Sequence, residues 1–229
     1  GIRQIVQWNN ERVQTAFDHD AANAVQALNA QLREPLQALE ALRGIYLASD
    51  EVTAAEMRTA TAAWLKSGRL QAMTWNVRLR RDEVAAFQAR VRVEDGRERY
   101  TVFDRNDAGA PIPSSQTGQP GDDVLALRLI EPLAGNTGAL GVNVLSVQAA
   151  RPAVEATRRS GQPAASAGFR LTQSASTDGE VGVVIYQAIY APIDPAPAER
   201  PAAMRGAVAV VLRMDAQLQA LASELPPYL

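Results

Sequence analysis

The stretch EPLAGNTGALGVNVLSVQAARPAVEATRRSG, Glu131 to Gly161, decides how this chain is read. A strand-like run, Val124 to Ile130, leads straight into it and reads as a central strand. A short glycine-rich turn follows, then a small apolar step at Ala139-Leu140-Gly141, then a helix-like segment from about Gln148 to Ser160. Gly161 stands where a helix ends on a left-handed residue. Strand, turn and capped helix in one span point to a mixed helix and strand fold. They name no ligand by themselves.

Upstream, residues 2 to about 48 carry apolar residues mostly three or four apart, among them Ile2, Ile5, Val13, Phe17, Leu28, Leu32, Leu39 and Tyr46. That is the period of one helical face. At ~1.5 Å per residue such a helix spans nearly 70 Å, the length of a stalk or a dimer seam. Asn9 to Asp20 is too polar to bury deeply alone. Pro35 is expected to kink or break the helix near Gln31, with two ordinary helices joined at Pro35 as the alternative. Thr53-Ala54-Ala55-Glu56 spells a capping box opening a helix to about Lys66, and Gly68 sits at its C-terminal end. Leu70 to Val77 reads as a strand. Asp82 can cap a helix carrying Val84, Phe87 and Val91, which Gly96 ends. Tyr100 to Phe103 is a short strand, and residues 104 to 123 form a long Gly/Pro/Ser/Asn/Asp-rich loop, either a binding loop or a surface insertion.

Downstream, Phe169 to Thr172 reads as a strand, Asp178-Gly179-Glu180 as a turn, and Val181 to Tyr190 as a strongly β-branched strand. Ala191 to Ala203 is a Pro/Ala-rich loop, Gly206 to Leu212 a buried strand, and Met214 to Leu225 a final helix. The order is long helix, mixed helices and strands, then mostly antiparallel strands, which is α+β. The organisation expected is a stalk helix over 1–48, a mixed helix/antiparallel-sheet module over 49–213, and a C-terminal helix over 214–229. Both ends read as cut from something larger.

Composition narrows the function. Across 229 residues, 47% are hydrophobic and 21% charged, which suits a folded domain. A net charge of -2 offers no basic excess for nucleic acid, so that partner is ranked low. There is no cysteine, hence no disulfide or thiolate metal site. His19 is the only histidine and sits in a polar helical neighbourhood, where a solvated face is the plain reading. No cofactor is expected. No run approaches the roughly 18 apolar residues of a membrane span, and no secretory signal is visible.

Several landmarks together resemble the CHASE domain, an extracytoplasmic sensor module of bacterial and plant receptors. They are Leu70 to Val77 with Trp75, the helix Arg81 to Gly96 with Phe87, Ile130-Glu131-Pro132 with Asn136, and the Ala139-Leu140-Gly141 step. Arg151, Ala156 and Gly161, then Leu171, Tyr190 and Gly206-Ala207-Val208, complete the set. The resemblance covers about residues 10 to 222. Two departures stand out: Asn143 occupies the place of a usual aspartate, and Tyr186 to Tyr190 replaces a usual Pro-Val-Tyr. The resemblance implies a stalk helix leading from a first membrane helix, then a PAS-like module with a small-molecule pocket. A smaller membrane-proximal module and a second membrane helix would follow. It further implies a homodimer through the stalk, anchored in the inner membrane with this part in the periplasm. A cytoplasmic histidine kinase, nucleotide cyclase, diguanylate cyclase or cyclic-di-GMP phosphodiesterase would be the output. Plant members bind cytokinins, so the ligand is expected to be a cytokinin-like or other small metabolite.

Such a pocket needs apolar lining with a few polar groups. The candidates are Trp75, Phe103, Leu127, Leu129, Leu140, Phe169, Leu171, Val184 and Tyr186, each of which also reads as ordinary core. In plant receptors an aspartate near the central strand accepts from the adenine ring; Asp122 and Asp123 lie just before the strand here, where a solvated loop end is the alternative. Arg128 and Arg170 could face an acidic ligand. No enzyme constellation emerges. Adjacent Asp122 and Asp123 point to opposite faces, and Gly135-Asn136-Thr137-Gly138 is too short for a phosphate loop and lacks its lysine. Two readings remain: a ligand-sensing receptor domain, and an ectodomain of the same fold with a filled pocket that binds a partner protein. An open cavity with convergent polar groups separates them.

Overall fold

The computed structural model describes residues 2–105, 110–166 and 180–215. The first element, α1 (Ile2–Ala48), is a single 47-residue helix. It runs through Pro35 without ending, contrary to the break expected there. The hydrogen bond that proline cannot make is offset by burial, because Leu32, Ala38, Leu39, Leu42 and Tyr46 all pack on the sheet around that point. The N-terminal half is different: Val6, Val13 and Val25 are exposed, and burial begins only at Leu28. Apolar spacing therefore runs along the whole helix, but among the described residues it is the second half that packs on the rest of the chain.

Helix α2 (Ala54–Leu65) opens on the Thr53 capping box, with Thr53 Oγ1 accepting from Glu56 N–H and Glu56 accepting from Thr53 N–H. Strand β1 (Leu70–Arg80) runs three residues past the expected end. Asp82 does not cap the next helix, α3 (Val84–Glu94); it pairs with Arg80, and the Glu83 carboxylate accepts from Arg80 N–H instead. Tyr100 lies outside the short β2 (Phe103–Arg105), which pairs with β3 (Pro111–Pro113) inside the expected loop. The remaining elements are β4 (Asp123–Glu131), α4 (Arg151–Ser160), β5 (Ala164–Ala165), β6 (Glu180–Tyr190), α5 (Arg200–Ala203) and β7 (Met204–Asp215). Gly161 caps α4 with a left-handed φ of 71°. Met214 and Asp215 belong to β7, while the rest of the expected final helix, the expected strand at Phe169 to Thr172 and the residues 178–179 of the expected turn lie outside the described residues.

The sheet is antiparallel, in the order β4-β1-β7-β6-β5. With the long helix in front and further helices around it, the architecture is the expected α+β one. β4 is an edge strand, not a central one. Its apolar sequence has a physical reason all the same. Both faces are covered, and the segment after the Gly135 turn closes its free edge: Leu127 N–H donates to Val142 O and Gly141 N–H to Leu127 O.

Alternation along the central strands sorts two cores. On β7, Val208, Val210 and Leu212 face α1, while Ala207 and Ala209 face α4 and the 139–150 segment. On β1, Met73 and Trp75 face α1, and Ala72 faces the other way. A third cluster packs α3 beneath the far end of β4, through Val84, Phe87, Val91, Tyr100 and Val124.

Candidate ligand site

A cavity of about 390 Å³ lies on the sheet face opposite α1. Its floor follows from the strand register. Thr74 on β1, Ala209 on β7 and Tyr186 on β6 form one row across three strands; Ala72, Val211 and Val184 form the row beside it. Small side chains stand beside large ones on this floor, Ala209 between Thr74 and Tyr186 and Ala72 beside Val211, which leaves space over the sheet. Leu127 and Ile130 extend the wall from β4, and Val142, Val144 and Ala150 close it from above.

The upper wall is held by Asn143. Its Oδ1 accepts from Leu125 N–H at 3.0 Å and Leu145 N–H at 3.2 Å, and its Nδ2 donates to Asp104 Oδ1 at 2.9 Å. Asp104 also accepts from Ser114, Thr117 and Arg81. Burial opposes the charge on Asp104, but those hydrogen bonds and the Arg81 guanidinium prevail and hold its carboxyl below its ordinary value. Asn143 thus does a fastening task between β4, β2 and the loop, and its neighbours Val142 and Val144 line the cavity. An aspartate here would confront Asp104, which accounts for the departure seen in the sequence.

Polar groups on the wall are few. Asn76 is fully buried. Its Nδ2 donates to Ala207 O at 3.1 Å and to Thr74 Oγ1 at 3.0 Å. Because a carbonyl only accepts, that contact fixes the amide's orientation. Among the described residues its Oδ1 is left with no hydrogen-bond partner. Tyr186 is buried, its hydroxyl makes no hydrogen bond among the described residues, and burial pushes its phenol up, so it stays neutral. Arg105 is the one charged residue on the wall, and no carboxylate among the described residues pairs with it. Its guanidinium sits 5.8 Å from the centroid of Phe103.

Of the residues singled out from sequence, Leu127, Val184 and Tyr186 line this cavity. Leu129 does not. β4 carries a bulge, with Trp75 opposite Leu129 and Asn76 opposite Leu127. Arg128 is the extra residue, so Leu129 turns into the α1 core. Trp75 also faces α1, stacked on Tyr46 at 4.1 Å, and borders a separate, charged cleft. Phe103 and Leu140 pack behind the wall. Asp122 accepts from Gln119 N–H, and Asp123 pairs with Arg78 and Arg158; neither lines the cavity. Arg128 is occupied by Glu94 and Asp95. Phe169, Arg170 and Leu171 lie outside the described residues. Sequence reasoning passed over Thr74, Asn76 and Arg105. For Asn76 a signal existed, an amide inside an otherwise apolar strand.

No group of metal-ligating side chains occurs among the described residues, and none of their helices is long and apolar enough to cross a membrane. The model of the CHASE domain family matches residues 50–228. This chain belongs to the CHASE family. CHASE is a sensory module of extracytoplasmic receptor regions, not a catalytic one. Among solved structures the CHASE chain is similar to one titled "Methyl-accepting Chemotaxis protein X", with 13% identity and a TM-score of 0.39, over 93% of this chain and 67% of that one. No curated protein matches it in sequence.

Proposed function

We propose that this chain is the ligand-sensing part of a transmembrane receptor, with the cavity over β1, β7 and β6 as its small-molecule site. The observation that carries this reading is Asn76, a fully buried side chain on the cavity wall whose Oδ1 has no partner among the described residues. A buried acceptor left unmatched costs about 1–3 kcal/mol, and a ligand donor would recover it. The open cavity favours this reading over a partner-binding ectodomain with a filled pocket.

The sheet itself is the route to the stalk. Asn76 bonds Ala207 O on the cavity side. Two residues before Ala207 in β7, Arg205 donates to the carbonyls of Tyr46, Ser49 and Asp50 in and just after the last turn of α1 and lies over the Trp75 ring. A ligand that prefers one arrangement of β1 and β7 shifts the population of positions available to α1. The exposed N-terminal half of α1, with Val6, Val13 and Val25, would pair with a second copy. The receptor would be anchored in the inner membrane and control a cytoplasmic histidine kinase, diguanylate cyclase or cyclic-di-GMP phosphodiesterase.

A thermal-shift screen of purines, amino acids and organic acids tests the site, because a ligand bound only by the folded state raises Tm. Val211→Phe, which adds bulk to the floor at a half-buried strand position, is expected to abolish the shift while leaving the unliganded Tm near that of the parent. A broad screen without a shift would remove the small-molecule reading.

A further inference from the structure

The wall of the cavity is chemically one-sided. It offers an apolar body of Leu127, Val142, Val144 and Val184, an acceptor at Asn76 Oδ1, a neutral phenol at Tyr186 and a cation at Arg105. No carboxylate among the described residues lines it. A ligand ammonium placed here would lose water without gaining a counter-charge, which is costly in an apolar enclosure. An anionic group reaching Arg105 would gain a charge-assisted, two-pronged contact. Among the described residues the guanidinium contacts the Phe103 ring and no carboxylate, and its backbone N–H is the group that donates to Ser146 Oγ. At the other end, Asn76 Oδ1 can only accept, so the ligand must bring an N–H or O–H there.

We infer that the cavity selects an apolar monocarboxylate, with its carboxylate on Arg105, its hydrocarbon or aromatic body over Ala209 and Val184, and a hydrogen-bond donor for Asn76. This rests on the reading of the cavity as the ligand site and adds the class of molecule. Amines and amino acids are excluded by the missing carboxylate. Neutral purines are disfavoured relative to acids of similar size, since they leave Arg105 unused.

Isothermal titration of this chain with 3-(4-hydroxyphenyl)propionate, its primary amide, tyramine and adenine tests the inference. The acid is expected to bind about tenfold more tightly than the amide, the factor that about 1.4 kcal/mol makes, and tyramine not measurably. Arg105→Gln, a change at an exposed side chain, should bring the acid-to-amide ratio to about one while leaving amide binding unchanged. 3-Phenylpropionate, which lacks the donor for Asn76, should bind several-fold more weakly than its hydroxylated counterpart. Tyramine, amide or adenine binding as tightly as the acid would overturn the inference, as would an acid-to-amide ratio unaltered by Arg105→Gln. Those outcomes leave the small-molecule site intact. Absence of binding by all four overturns the inference too, and the broad thermal-shift screen then decides separately whether the cavity binds anything.

Discussion

Asn143→Asp restores the residue type expected at this position and should cost this protein stability in a pH-dependent way. The amide donates to Asp104 Oδ1 across 2.9 Å, and the Asp104 side chain is only 17% exposed. The substitution removes a hydrogen bond to a charged group, a loss of about 1.5–3 kcal/mol. It also sets two carboxylates face to face, where repulsion at 4 Å and an effective dielectric constant of 20 is about 4 kcal/mol. The pair can escape by binding a proton. From an ordinary Asp value near 3.9, holding that proton at pH 7 costs about 4 kcal/mol, less than the lost hydrogen bond and the repulsion together, so the total is bounded at about 4 kcal/mol. A shared proton means a folded-state pKa raised above the unfolded one. Stability of that kind is present at low pH and lost as pH rises through the folded value. The deficit relative to the parent should therefore shrink by about 1.4 kcal/mol per unit as pH is lowered from 7, closing by about 2.7 kcal/mol at pH 5. Urea unfolding of both proteins at the two pH values measures it. Asn143→Leu serves as control: it leaves the N–H groups of Leu125 and Leu145 unmatched, but its deficit cannot vary with pH over this range. An Asn143→Asp deficit below about 1 kcal/mol, or one that does not shrink at pH 5, would refute the account of Asn143 as the donor that holds Asp104.

In the parent protein, Asp104 and Asp123 both have their carboxyls held below the ordinary range, in each case against the opposing effect of burial, by hydrogen bonds and by arginine. Their contribution is complete above about pH 4 and is lost as pH falls through the folded-state values, so Tm should drop in that acid window and Asp104→Asn should flatten part of the drop. Gly141→Ala should destabilise by more than about 2 kcal/mol in chemical denaturation, because φ is +87° and the added Cβ would lie 1.9 Å from Thr101 O. Gly68→Ala, at φ +75° with open space around it, should cost only about 1 kcal/mol; equal costs would show that the crowding at Gly141 is not decisive. Arg205→Ala should lower stability by about 2 kcal/mol and speed amide exchange in the last turn of α1; unchanged exchange there would sever the proposed link between β7 and the stalk.

What was legible in the sequence is what local chemistry decides. Thr53 and Glu56 need only each other to cap α2, Gly161 needs only its own left-handed φ, and the alternation Ala207-Val208-Ala209-Val210 separates the two faces of β7 wherever that strand is placed. The cavity required information of another kind. Leu127 and Leu129 share a face in any regular strand, and one extra residue, Arg128, drawn out to Glu94 and Asp95 from α3 and its end, sends them to opposite sides of the sheet. Asn76 reads as an ordinary polar interruption until β7 supplies the Ala207 carbonyl, 131 residues away, that takes one amide proton while Thr74 takes the other, which turns its oxygen away from both. The same partner shows why such an atom can persist in a folded protein. Its Nδ2 bond to Ala207 O stitches β1 to β7, so the side chain is retained for the sheet while Oδ1 stays unmatched among the described residues. A ligand that satisfied Oδ1 would act on an amide already bonded to the strand that carries Arg205, and that shared strand joins the wall of the cavity to the anchor of α1.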